Sequence, residues 1–168
     1  MLLDVRVATG GAPVGDQAQP PLTDAVVEDA ERRLGVRLPA SLLEILRVRN
    51  GGVVADAWNA FPTEVPTSWS GNLGIGRHDG RLSMLDTAYL AEEWGSPSPL
   101  VLLSGDGHCW IALDYRGCAV DEEPSVTWFD VDDSSELPLA ADFRAFVERL
   151  TAAAALDLDH PDGTPPAS

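Results

Sequence analysis

The chain has 168 residues, of which 45% are hydrophobic and 23% charged, and this composition suits one domain with a proper core. The net charge is −16, and all 11 basic residues are arginine. Such an acidic chain repels phosphate backbones, so the composition argues against nucleic-acid binding and favours attraction of a basic partner. The sequence has no run of 18 apolar residues, which argues against a membrane span.

The negative charge is concentrated in the second half of the chain. Residues 1–85 contain 10 acidic residues and 8 arginines, whereas residues 86–168 contain 17 acidic residues and 3 arginines. This asymmetry favours a partner-binding surface, although acidity also serves solubility. The N-terminus lacks the basic and apolar regions of a signal peptide, so we expect a cytoplasmic protein. In that compartment Cys109 and Cys118 are expected to stay reduced, and nothing in their spacing implies a disulfide.

Two short helices with sharp ends are predicted after a flexible segment, residues 1–21. Thr23 is a suitable N-cap for the first helix, and Gly35 is suited to end it in the left-handed conformation. The second helix is predicted to start at Pro39 and to end at Asn50-Gly51-Gly52.

The middle of the chain is predicted to contain short strands and one short helix. A strand is predicted from Val53 to Trp58, and residues 59–80 are predicted to be an irregular loop with a short strand at Leu73–Ile75. A further short strand is predicted from Arg81 to Leu85. Asp86 is then placed to cap a helix over residues 87–94, which ends before Gly95.

A hairpin and a third strand complete the predicted sheet. Leu100–Ser104 and His108–Tyr115 flank the turn Gly105-Asp106-Gly107, and Ser125–Val131 forms the third strand. Trp110 and Trp128 have matching phases and are predicted to be cross-strand partners.

The last predicted element is an amphipathic helix, Ala141–Leu150, followed by a helix end and disordered tail over residues 151–168. The expected fold is therefore a single α+β domain over residues 22–150. It has an N-terminal helix pair, a central, mostly antiparallel sheet and a C-terminal helix packed on that sheet.

The residue types used in catalysis do not form a known catalytic pattern. His78, His108 and Cys109 lack the spacing of a zinc site, and the sequence has no GxSxG motif. The glycines of GNLGIG do not match GxGxxG, and the acidic turns lack the spacing of a calcium-binding loop. We therefore expect no metal, no cofactor and no enzyme activity. The competing hypothesis is a small hydrolase that uses Cys109 or His108.

The run LTDAVVEDAERRLGVRLPASLLEILRVRNGG resembles the opening of the SUKH superfamily of Smi/Knr-type domains. That opening is an acidic helix with a Glu (here Glu28 or Glu31), then Leu-Gly, Leu-Pro, an apolar helix and Asn-Gly-Gly. The later segments LVLLSGDGHCWIALDY, SVTWFDVD and LAADFRAFVERL resemble the family's hairpin, next strand and closing helix. The family-motif residues that are expected to be structural are Leu34, Gly35, Leu38, Pro39, Asn50, Gly51 and Gly52.

The resemblance implies a non-enzymatic protein without a cofactor, because members include bacterial toxin-immunity proteins and fungal cell-wall assembly regulators. The first hypothesis is therefore an immunity protein, a monomer or weak dimer, that neutralises a basic toxin domain such as a nuclease through an acidic surface. The alternative is a regulatory or scaffold adaptor that binds an endogenous protein. The predicted partner-binding residues are Asp106, Trp110 (as an aromatic anchor), Asp114, Asp121, Glu122, Glu123, Asp130, Asp132 and Asp133.

Overall fold

The computed structural model describes residues 19–53, 60–62, 67–68, 71–76, 83–95, 99–105, 108–119 and 122–151. The predicted C-terminal segment beyond Thr151, the strand beyond Val53, and the positions His78, Asp106 and Asp121 lie outside these residues. So do most of the predicted N-terminal flexible segment and half of segment 59–80.

Two helices open the described chain, as predicted. Helix α1 is Asp24–Leu34 and helix α2 is Ala40–Val48. The Thr23 hydroxyl accepts a hydrogen bond from the backbone N–H of Val26, and Gly35 has φ 72°, so both ends of α1 match the sequence signals.

Short β-segments and a second pair of helices follow. Strands β1 (Gly52–Val53) and β4 (Gly71–Asn72) pair with each other, as do β2 (Ala60–Phe61) and β3 (Thr67–Ser68). The strand predicted over Arg81–Leu85 is wrong for its described part. Ser83 forms a single bridge, and a 3₁₀ helix, Met84–Asp86, leads into α3, Thr87–Trp94.

The 3₁₀ turn forms because Ser83 and Asp86 build a capping box. The Ser83 hydroxyl accepts a hydrogen bond from the N–H of Leu85, and the Asp86 carboxylate accepts one from the N–H of Ser83. Asp86 therefore caps the 3₁₀ turn and makes no side-chain cap to α3, for which it had been predicted.

The centre of the molecule is a four-stranded antiparallel sheet with strand order β5-β6-β7-β8. Its strands are β5 (Leu100–Gly105), β6 (Cys109–Asp114), β7 (Ser125–Asp130) and β8 (Ser135–Ala140). Strand β8 was not predicted. Helix α4, Phe143–Glu148, packs on the sheet and against α2, and buries Phe143, Phe146 and Val147. The predicted α+β fold is confirmed.

The sheet register corrects the predicted tryptophan pair. Trp110 lies opposite Phe129, and Trp128 lies opposite Ile111. Because successive side chains of a strand point to opposite faces, Trp110 and Trp128 lie on different faces of the sheet. Both faces of β6 are covered, since Trp110, Ile111, Ala112 and Leu113 are all buried.

Candidate functional site

Asn50 joins three segments of the fold through its side chain. Its Nδ2 group donates hydrogen bonds to the carbonyls of Pro20 and Ile75, both at 2.7 Å, and its Oδ1 accepts from the N–H of Ile75 at 2.8 Å. The Asn50 carbonyl also accepts a hydrogen bond from the N–H of Gln19. Asn50 is 3% exposed, so these bonds are shielded from water. Its contacts are structural.

The glycines of GNLGIG make room for this arrangement. A Cβ atom at Gly74 would lie 2.2 Å from the Asn50 carbonyl oxygen, and one at Gly76 would lie 2.9 Å from Oε1 of Gln19. Gly74 and Gly76 therefore serve the close approach of segments 19–20, 50 and 74–76.

The other residues of the opening motif set the path between the two helices. The Glu31 carboxylate accepts a hydrogen bond from the backbone N–H of Leu38 at 2.9 Å, whereas Glu28 is exposed. Leu38 is buried, and the Pro39 carbonyl accepts from the N–H groups of the first helical turn. Leu34 is half-buried, and Gly51 and Gly52 have φ values of 89° and 106°. Of Glu28 and Glu31, the two candidates for the motif glutamate, Glu31 is the one that contacts the segment between α1 and α2.

Trp110, the predicted aromatic anchor, is 2% exposed. Its ring packs on Gly105, where a Cβ atom would lie 2.1 Å from a ring carbon. A side chain in this position has no free surface for a partner, so the structure does not support the role of Trp110 as an exposed anchor.

Asp114 is also buried, and it forms an ion pair within the chain. Arg116 donates to both of its carboxylate oxygens, at 2.9 and 2.8 Å, and also contacts Glu136 at 3.1 Å. The same guanidinium lies over the ring of Phe129. Burial acts to raise the pKa of Asp114, but the hydrogen bonds and charge of Arg116 outweigh it and hold the pKa below the usual value. Asp114 thus stabilises the sheet rather than presenting a free charge.

The predicted cluster between residues 121 and 133 is divided between the two ends of β7. Glu122 and Glu123 are exposed before the strand, and Asp130, Asp132 and Asp133 follow at its other end. At about 3.3 Å per residue, the two groups are roughly 20 Å apart. One partner side chain cannot contact both groups.

The second group forms an acidic turn between β7 and β8, which we call the acidic turn (Asp130–Ser135). The Asp130 carboxylate accepts from the N–H of Asp132 at 2.9 Å, and the Asp133 carboxylate accepts from the N–H of Ser135 at 2.8 Å. Hydrogen bonds from Ser135 lower the pKa of Asp133. Between them, Ser134 adopts φ 59°. The turn therefore holds three carboxylates in a fixed backbone.

The acidic turn carries little compensating charge. Asp132 lies 2.9 Å from Nδ1 of His108, with both side chains largely exposed. Within the described part of the chain, no arginine forms an ion pair with Asp130, Asp132 or Asp133. In that same part, no three metal-ligating side chains are grouped in a way that would hold a metal ion.

An apolar pair lies next to the acidic turn. Leu137 is opposite Trp128 in the β7–β8 register; Leu137 is 37% exposed and Trp128 is partly buried. The next pair on the same face of the sheet is Asp130 and Ser135, two residues further along the strands. An apolar contact with a carboxylate rim is typical of the centre and edge of a protein interface. The sequence prediction missed this site because it did not contain β8.

The geometry gives no support to chemistry at His108 or the cysteines. His108 contacts Asp132 through Nδ1, but the two side chains lie on an open surface. Cys109 begins β6, whereas the N–H of Cys118 bonds the carbonyl of Tyr115 beyond the other end of that strand. The two cysteines are therefore more than roughly 15 Å apart along the strand direction, too far for a disulfide between them.

A family model described as the SMI1 / KNR4 family (SUKH-1) matches residues 21–149. This range contains both helices of the opening motif, the whole central sheet and α4. No curated protein matches the chain. Among the helices in the described residues, none has the length and apolar character needed to cross a membrane.

Proposed function

Because the chain belongs to the SMI1 / KNR4 family (SUKH-1), which supports a protein-binding role in immunity or regulation, we propose that it is an immunity protein for a basic toxin domain. The family is generally non-enzymatic, and the proposed action is occlusion of the toxin. The acidic turn at the end of β7 carries the proposal, because its carboxylates are pre-positioned and lack arginine partners in the described structure.

The charge of the chain suits a nuclease toxin in particular. A nuclease needs a basic surface to hold its phosphate substrate, and an acidic inhibitor can bind that same surface. With a net charge of −16, long-range attraction accelerates the encounter, and a few desolvated contacts then provide most of the affinity. In this proposal, Leu137 with Trp128 supplies the apolar contact and the acidic turn supplies the charged rim.

The first experiment is capture of the partner from the native host. The tagged full chain is used as bait at low and at high salt, and the proteins that copurify are identified. Recovery of a basic toxin domain that dissociates as salt rises, followed by protection of cells against that toxin, supports the proposal. Recovery of an endogenous housekeeping protein instead supports the regulatory adaptor, and the immunity proposal is then wrong.

The second experiment assigns the surface with charge-matched variants. The triple variant Asp130→Asn, Asp132→Asn, Asp133→Asn retains the side-chain oxygens that accept the turn hydrogen bonds but removes three charges. The control Glu28→Gln, Glu92→Gln, Glu93→Gln removes three charges from exposed helix positions. At low ionic strength we expect the turn variant to bind the captured toxin about tenfold more weakly, since each exposed pair contributes up to about 1 kcal/mol. Equal affinities of the two triple variants would exclude the acidic turn as the site.

The apolar contact has its own matched pair of variants. Leu137→Ala removes a partly exposed side chain beside the acidic turn, and Tyr89→Ala removes an aromatic ring that is 66% exposed on α3. We expect Leu137→Ala to raise the dissociation constant and Tyr89→Ala to leave it unchanged. The reverse result would move the interface to α3.

A further inference from the structure

The two edges of the central sheet differ in how they are covered. At the β5 edge, the N–H of Leu102 donates to the hydroxyl of Thr87 at 3.1 Å, and the carbonyl of Leu103 accepts from the N–H of Leu73 at 2.7 Å. Residues from α3 and from the segment after β4 thus satisfy this edge. Within the residues that the structure describes, β8 pairs only with β7.

The position of Pro138 determines which backbone groups of β8 face outward. Pro138 lies opposite Thr127, but it has no N–H, so the two residues cannot exchange both ladder hydrogen bonds. Hydrogen-bonded and non-hydrogen-bonded pairs alternate in an antiparallel ladder. The backbone groups of Leu137 therefore point toward β7 and bond it, whereas those of Glu136 and Pro138 point away from β7. The free edge therefore offers the N–H of Glu136 and the carbonyls of Glu136 and Pro138.

The open stretch is short and acidic. Beyond Pro138, the carbonyl of Leu139 accepts a hydrogen bond from Arg149 at 3.5 Å. Leu137, paired with Trp128, lies on one face of the stretch, and Glu136 lies on the other. The acidic turn immediately precedes the stretch in the chain. Two copies of this edge would place like charges together, and Pro138 limits continuous pairing, so self-association through β8 is disfavoured.

We propose that the β8 edge from Ser135 to Pro138 binds an extended basic segment of the partner as a fifth strand. The inference rests on the proposed function for the charge of the partner and adds the mode of recognition. Main-chain hydrogen bonds to Glu136 and Pro138 fix the segment in place. Alternation along it directs apolar side chains beside Leu137 and basic side chains toward Glu136, whose side chain is 47% exposed beside its ion pair with Arg116. Basic residues at the end of the segment meet Asp130, Asp132 and Asp133.

The test uses a defined peptide, because it does not depend on capture of the toxin. The probe is a fluorescent peptide of alternating arginine and valine, and its control is the same peptide with alternate backbone nitrogens methylated. The two carry the same charge, but the control cannot complete a strand ladder. Binding to the full chain is measured by fluorescence anisotropy at low salt. We expect the control to bind at least tenfold more weakly. Equal binding of the two peptides, or no binding of either, would overturn the inference.

A protein variant locates the edge. Glu136→Pro removes the outward N–H while leaving the inward ladder bonds, and Glu136→Gln removes the negative charge but keeps the N–H. Both variants lose the Glu136 charge and its ion pair with Arg116, so the difference between them reports the N–H. We expect at least a tenfold loss of peptide affinity for Glu136→Pro and less than a threefold loss for Glu136→Gln. Hydrogen exchange on the wild-type chain is a second measurement that needs no variant: the peptide should slow exchange of the Glu136 amide. If that amide is unprotected in the bound complex, strand addition at β8 is wrong.

The same measurements on the captured toxin separate the two proposals. If the toxin binds with dependence on the acidic turn, but Glu136→Pro has no effect and the Glu136 amide stays unprotected, the immunity proposal stands and strand addition fails. If no basic protein is captured while the peptide adds to β8, the edge is a strand-binding site and the toxin assignment fails.

Discussion

Replacement of Asn50 by alanine removes three hydrogen bonds at once, two of them buried and one partly buried. Asn50 is 3% exposed, and its side chain bonds the Pro20 carbonyl and both backbone groups of Ile75. Since a typical hydrogen bond contributes about 1 kcal/mol net, we expect Asn50→Ala to lower the free energy of unfolding by about 3 kcal/mol. For a chain of this size the midpoint of thermal unfolding then falls by roughly 6–12 °C.

Asn50→Asp tests the direction of these bonds. The substitution keeps the shape of the side chain but replaces the Nδ2 donor with an oxygen that faces the carbonyls of Pro20 and Ile75. At neutral pH a buried carboxylate repelled by two carbonyls should destabilise the fold more than alanine does. Protonation restores one donor, so the stability deficit of Asn50→Asp relative to the wild type should shrink as the pH is lowered.

The assay is urea unfolding of the full chain, followed by tryptophan fluorescence and circular dichroism, with Glu28→Ala as an exposed control. The linear dependence on urea gives the free energy of unfolding for each variant. A loss below about 1 kcal/mol for Asn50→Ala, smaller than that of a single net hydrogen bond, would refute the idea that this side chain joins the three segments. An Asn50→Asp protein as stable as the wild type at pH 7 would refute the assigned direction of the bonds.

Three further predictions follow from contacts elsewhere in the fold. Gly105→Ala places a methyl group within 2.1 Å of the Trp110 ring, so we expect a loss of about 1–3 kcal/mol by urea unfolding and altered tryptophan emission. Glu31→Ala removes the acceptor of the Leu38 N–H and should cost about 1 kcal/mol, whereas Glu28→Ala should be neutral; equal costs would contradict the assignment. In the folded chain, Arg116 holds the pKa of Asp114 below its ordinary value of 3.8. On acidification Asp114 is therefore protonated first in the unfolded chain, and the stabilisation of the fold by the Asp114–Arg116 pair is lost progressively below about pH 5. Asp114→Asn should be less stable at pH 7 and lose less stability than the wild type between pH 5 and pH 3.

The sequence predicted the helices well where local signals determine their ends. Thr23, Gly35 and Gly95 mark the ends of α1 and α3 because capping depends on one residue and its immediate neighbours. The β5–β6 hairpin was also predicted, since the two apolar runs flank a short glycine-containing turn. These elements need no knowledge of distant contacts.

Strand β8 could not be predicted in the same way. Its sequence, SELPLA, contains a proline and no β-branched residue, so its local preference for a strand is weak. It forms because the acidic turn brings it back alongside β7, and because Pro138 falls at a position where the ladder needs no donor. Only the register of the sheet shows this, and the candidate apolar contact at Leu137 depends on it.

The burial of Trp110 could not be predicted from the sequence for a related reason. In the sequence, Trp110 and Asp114 share one phase of the strand, and an aspartate in that phase suggests a face open to solvent. In the structure Arg116 neutralises Asp114 from two residues away, so the face can be buried. An aspartate that is paired with an arginine of the same chain can be buried, and residue spacing alone does not distinguish it from an exposed, unpaired aspartate.

Asn50, at the end of the family motif, and the proposed binding surface lie at opposite edges of the sheet, so the contacts that close one edge are separate from those proposed to bind the partner. Asn50 holds Ile75, and the neighbouring Leu73 bonds Leu103 on β5, so the motif helps to close the β5 edge. The β8 edge lies three strands away, roughly 14 Å at the usual strand spacing. Changes in Glu136, Leu137 or the acidic turn therefore leave the closed edge intact. A fold arranged in this way can keep its opening motif unchanged while the open edge varies to suit different partners.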